Sequence, residues 1–138
     1  YCFGGLSWLS AVCRYRMTRR KADVTLCAVT LLLYSINQRV KTSISNDAVR
    51  WFMCCYFNDI IGSITFASYT DLMMGLKKKA LDALWKIELL LLCCGFFWEV
   101  ITPLFRKNTV ADICDIAAYL FGGFLYHCIT KEITSGAN

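Results

Sequence analysis

The side chains with the clearest chemical capacity lie in the C-terminal third of the chain. Glu99 closes one apolar run, and a short loop follows with Pro103, the single proline, and the bases Arg106 and Lys107. Asp112 and Asp115 then open the next apolar run. In a helix over residues 110–129, Asp112, Asp115, Tyr119, Gly122 and Tyr126 share one stripe, because steps of three and four return to the same face. Carboxylates at that spacing can bind a divalent cation or serve as acid and base if burial raises one pKa. An arginine beside them can take an anionic group through a two-pronged contact. Carboxylates this close repel unless a cation, a shared proton or Arg106 intervenes. Glu99 and Asp115 are therefore expected to face each other, with Arg106 or a ligand between them.

Each of these residues also has a plainer reading. Thr109 and Asp112 fit a capping box, with Thr109 as N-cap. Glu99 stacks one turn above Gly95, which is small enough for a neighbouring helix to come close, and its carboxylate can simply reach the water interface. Asn58 and Asp59 form a polar pair deep in another apolar run, suited to an interhelical hydrogen bond or to a ligand. Asp71, Lys86 and Glu88 read as interfacial side chains whose charged tips reach water. His127, the only histidine, lies away from the carboxylates. Gly122, Gly123 and Ala118 read as a helix-packing surface. No nucleophile elbow, phosphate-binding loop, cofactor motif or metal-ligand spacing occurs, so any metal remains unspecified.

The elements that must position these groups follow from composition. The chain has 138 residues, enough for a single domain, with 57% hydrophobic and 18% charged residues. Soluble domains average about 45–50% and about 25%. Apolar stretches near the length of a bilayer crossing recur over Ala22–Gln38, Val49–Leu72, Ala80–Val100 and Val110–Ile129. The fold expected is all-α, an integral membrane bundle of four transmembrane helices over residues 1–138, with residues 1–13 as a partial additional helix, an interfacial segment or a signal remnant.

The net charge of +5 does not indicate nucleic acid, because the basic residues sit in short loops between apolar runs. The nine cysteines show no CxxC spacing, and Cys54–Cys55 and Cys93–Cys94 lie within apolar runs, where a thiol acts as a small hydrophobe. One set of loops carries Arg14, Arg16, Arg19, Arg20, Lys21, Lys77, Lys78, Lys79 and Lys131. The other carries Arg39, Lys41, Arg50, Arg106 and Lys107. The positive-inside rule assigns the richer set to the cytoplasm. Glu99, Arg106, Asp112 and Asp115 then fall at the outer surface, with Asp59 about 15 Å deep from the same side.

The segment Trp98-Glu99…Pro103…Arg106…Asp112-x-x-Asp115-x-x-x-Tyr119-x-x-Gly122 resembles the C-terminal signature of VanZ-like membrane proteins. Tyr119 stands where that family usually has Asn, no Gln follows Glu99, and the stretch from Glu99 to Asp112 is slightly longer. The resemblance implies a multi-pass protein of the bacterial inner membrane, with some relatives linked to resistance to teicoplanin-type antibiotics. The function expected is non-enzymatic binding of an amphipathic or lipid-linked ligand at the outer leaflet by Glu99, Arg106, Asp112, Asp115, Tyr119, Asp59 and Asn58. The alternatives are a small membrane enzyme acting on a lipid headgroup through a carboxylate-bound metal, and an assembly subunit of a membrane complex.

Overall fold

The computed structural model describes residues 3–77, 79–101, 105 and 113–136, and all regular structure among them is helical. Helix α1 runs Phe3–Val40, α2 Asp47–Cys55, α3 Phe57–Leu76, α4 Leu84–Phe96 and α5 Ile113–Ser135. A 3₁₀ turn over Lys41–Ser43 follows α1, and a π turn over Phe97–Ile101 extends α4. The four long helices alternate in direction. Helix α3 packs against both α1 and α5, and α5 packs in turn against α4.

Helix α1 departs from expectation. The basic segment 14–21 is not a loop but the middle of one 38-residue helix that continues into the first apolar run. At 1.5 Å per residue it is about 57 Å long. Its length has a local cause: no glycine or proline stands between Leu6 and Ile61, and Arg and Lys are good helix formers. The helix gives way to a stretch rich in Ser and Thr, and Asn46 starts α2. The Asn46 side chain accepts the backbone N–H groups of Ala48 and Val49 at 3.0 and 3.2 Å, as an N-cap should.

The second apolar run is split at Tyr56, whose carbonyl accepts from the N–H groups of Asp59 and Ile60. Trp51 packs edge-on against Tyr56 at this corner, with ring centroids 5.0 Å apart. The third run starts later than expected, at Leu84, because residues 79–82 are irregular.

Small residues set how closely the helices approach. A Cβ at position 122 would overlap Ser63 Oγ and lie 2.6 Å from the Ile60 carbonyl oxygen. Gly123 meets Leu91 on α4, and Gly95 on α4 meets the Tyr119 ring. Around these contacts Ile64, Ala67, Leu81, Ile87, Leu91 and Tyr126 form the apolar core.

Polarity is distributed in an unusual way. Arg19, Asp23, Asn37, Ser63, Ser68, Asp71 and Thr130 are buried, whereas Val24, Leu32, Ile36, Phe66, Leu89 and Phe124 are among many large apolar side chains exposed on the outside. One described helix, α5, is long and apolar enough to cross a membrane by length and composition.

Candidate functional site

Two polar regions lie at opposite ends of the bundle. The first sits between α3, α4 and α5. Asn58, Asp59 and Ser63 on α3, Leu91 on α4, Trp98 in the π turn and Tyr119 on α5 line a cavity of about 300 Å³. The spacing that the α3 helix gives positions 59, 62, 63 and 66 puts all four on this cavity. Gly62 contributes open space, since a Cβ there would meet no atom within 4 Å. The wall is thus polar at Asn58 and Asp59 and apolar at Phe66, Leu91 and Trp98.

Asn58 is tied to α1. Its Oδ1 accepts from Asn37 Nδ2 at 2.8 Å, and the same amide donates to the Met53 carbonyl at 2.9 Å. Asn37 is 2% exposed, and among the described residues its Oδ1 has no hydrogen-bond partner.

The structure therefore brings Asn58, Asp59 and Tyr119 to one cavity. Asp115, one turn before Tyr119, is half-buried near the start of α5. Glu99 falls in the π turn, and its side chain lies outside the described part of the molecule. Arg106 and Asp112 also lie outside the described residues, as do Pro103, Lys107 and the Thr109 cap. Among the described residues no three His, Cys, Asp or Glu side chains come together to hold a metal ion.

The second region is the one that sequence reasoning missed. Asp71 is not an interfacial side chain: it is 3% exposed and sits at the centre of a network. Its Oδ2 accepts from Arg19 Nε at 2.6 Å and lies 3.0 Å from the Tyr126 hydroxyl, while Oδ1 accepts the Leu81 N–H at 2.6 Å. Arg19 Nη2 donates to the Leu81 carbonyl, and Nη1 donates to the Tyr15 hydroxyl at 3.0 Å. The pair thus grips one residue of the α3–α4 connection, Leu81, by both its N–H and its C=O. Asp71 is buried where that connection folds back over the bundle end and brings the Leu81 N–H onto the carboxylate.

Asp23 completes the group. The Tyr126 hydroxyl lies 2.7 Å from Asp23 Oδ1, and its one proton serves both carboxylates. Tyr126 is fully buried. The positive-inside count places Arg19 among the loop charges, yet it is buried too. The available signal was positional. Arg19 and Asp23 are four apart on one helix face, and Tyr126 continues the stripe of Asp115, Tyr119 and Gly122 by one more turn.

A third polar contact lies between these ends. Thr65 Oγ1 donates to Thr30 Oγ1 at 2.7 Å. Arg19–Asp71, Thr30–Thr65 and Asn37–Asn58 therefore form an antiparallel ladder between α1 and α3. From Arg19 to Asn37 the ladder spans about 27 Å of helix. Compared with known protein families, curated proteins and solved structures, the chain matches none.

Proposed function

We propose that this protein is a multi-pass membrane bundle that binds an amphipathic or lipid-linked molecule in the cavity between α3, α4 and α5. The observation that carries the membrane part is the distribution of polarity. Buried polar groups find partners across helices, and the outer faces of α1, α3, α4 and α5 carry Val, Leu, Ile and Phe. A lipid environment favours that arrangement, because polar groups must be satisfied internally and apolar ones need no cover. The polar ladder, about 27 Å long, is comparable with the hydrocarbon thickness of about 30 Å. Helices α1, α3 and α4 would cross alongside α5, α1 and α3 made less apolar by the ladder residues and α4 shortened by an early end at the π turn.

The ligand part rests on the cavity. Its volume of about 300 Å³ suits a headgroup or a length of chain, with Asn58, Asp59 and Tyr119 for polar atoms and Phe66, Leu91 and Trp98 for methylenes. The resemblance to VanZ-like proteins gives the setting, a bacterial envelope, and adds Glu99, Arg106, Asp112 and Asp115 as further ligand contacts.

The test is photo-crosslinking in native membranes from position 66, with a photoreactive amino acid replacing Phe66. A lipid or lipid-linked adduct is the expected product, and Gly62→Phe, which fills the open space, should abolish it without loss of helicity. Release of the protein from membranes by alkaline carbonate would overturn the membrane reading. An adduct whose yield is unchanged by Gly62→Phe would overturn the cavity.

A further inference from the structure

At the Arg19 end a groove of about 730 Å³ opens between α1, α3 and the α3–α4 connection. Arg16 and Arg20, one helical turn apart, line the α1 wall, and Lys79 faces them from the connection. Val12 on α1 and Leu72 and Leu76 on α3 supply the apolar lining beside them.

The charges facing this groove can be paired off. Arg19 is neutralised by Asp71. The Lys86 ammonium, 2.7 Å from Asp82, offsets that carboxylate and holds its pKa below the ordinary range. Arg16, Arg20 and Lys79 make no ion pair among the described residues. Three cations therefore remain against one carboxylate, Asp23, which is turned to the Tyr126 hydroxyl. An excess of positive charge next to an apolar strip calls for an amphiphile with an anionic head.

We propose that this groove binds the headgroup of an acidic phospholipid, its phosphate held by Arg16, Arg20 and Lys79 and its first methylenes by Val12, Leu72 and Leu76. The inference rests on the membrane reading above, but it concerns the opposite end of the bundle and does not involve the α3–α4–α5 cavity. Basic pockets between helices on the positive side of a membrane protein are suited to such headgroups, and Arg in particular to the bidentate geometry of phosphate. Position is what distinguishes the groove from general surface charge. Arg14, Lys21 and Lys77 are equally basic and exposed, but they do not line it.

The experiment is a titration of the full chain, purified in a neutral detergent, with short-chain phosphatidylglycerol, phosphatidylcholine and inorganic phosphate, followed by native mass spectrometry. Saturable binding of one phosphatidylglycerol, with phosphatidylcholine weaker, is expected. Arg16→Gln/Arg20→Gln/Lys79→Gln should weaken it roughly tenfold or more, while Arg14→Gln/Lys21→Gln/Lys77→Gln should change it by less than about threefold. Equal loss in both triple variants would overturn the site in favour of diffuse charge. Phosphate that competes as well as the lipid would reassign the groove to a soluble anion and overturn the lipid proposal. Should the first triple variant lose helicity, Lys79→Gln against Lys77→Gln makes the same comparison at two exposed positions near the end of α3. A failed membrane reading shows separately, as carbonate extraction.

Discussion

A guanidinium withdrawn from water needs both a counter-charge and acceptors for its remaining N–H groups, and Arg19 obtains them from Asp71, Leu81 and Tyr15. Removing one partner leaves the other buried and unpaired, which is the expensive case. Asp71→Ala is therefore expected to destabilise the fold by about 3–5 kcal/mol, and the Arg19→Ala/Asp71→Ala double variant by less than the sum of the two single changes. Chemical unfolding followed by circular dichroism checks both, and strict additivity would mean that the pair is not coupled. Tyr126→Phe keeps the ring in its place and removes only the hydroxyl, for an expected loss of about 1–3 kcal/mol. None of this was legible from residue type, because an Asp at the end of an apolar run looks the same whether its side chain reaches out or turns in. Asn58 was easier to read, since a polar pair so far inside an apolar run must have a partner.

Among the elements, α3 and α5 lie closest where Gly122 faces Ser63 and the Ile60 carbonyl. A side chain at 122 meets backbone that cannot yield, whereas one at 123 meets first the tip of Leu91, which can rotate. Gly122→Ala should therefore be destabilising, by about 1–3 kcal/mol, and Gly123→Ala clearly milder. Thermal unfolding of the two variants side by side decides the matter, and equal effects would show that helix spacing is not set at 122. The ladder between α1 and α3 gives a gentler expectation. On the membrane reading, Thr65→Val preserves shape and removes one hydroxyl contact, at an average cost of about 0.6 kcal/mol. The number and order of the long helices could be read from apolar runs, and the packing role of Gly122 and Gly123 from their size. The continuity of α1 could not, because a run of arginines marks a charge boundary without marking a helix boundary.

For the whole molecule, the ends of the bundle separate in charge. Arg14, Arg16, Arg20, Lys21, Lys77 and Lys79 gather around the Arg19 network, and Lys131 lies on α5 beyond Tyr126 toward the same end. The membrane reading then predicts sidedness. In a cysteine-depleted variant, single cysteines at positions 45 and 79 should differ toward an impermeant maleimide on intact cells, with 45 labelled and 79 protected. The reverse pattern would invert the topology and move the α3–α4–α5 cavity to the inner leaflet. The basic end of the bundle was legible because it depends on counts of charge, which survive without knowledge of packing. The cavity was only partly legible: Asn58, Asp59 and Tyr119 could be listed, but their meeting depends on the corner at Tyr56, which no glycine or proline announces.

The bond between Tyr126 and Asp23 joins residues 103 apart in the chain. Synthesis runs from the N-terminus at about 5–20 residues per second, so Asp23 leaves the ribosome roughly 5–20 s before its hydroxyl partner exists. Arg19 waits a shorter time, since Asp71 is 52 residues away. Throughout that interval the nascent first helix carries a carboxylate without its final hydroxyl partner. Truncation before Tyr126 would leave it so permanently. The network around Asp23 thus closes only when α5 takes its place beside α1.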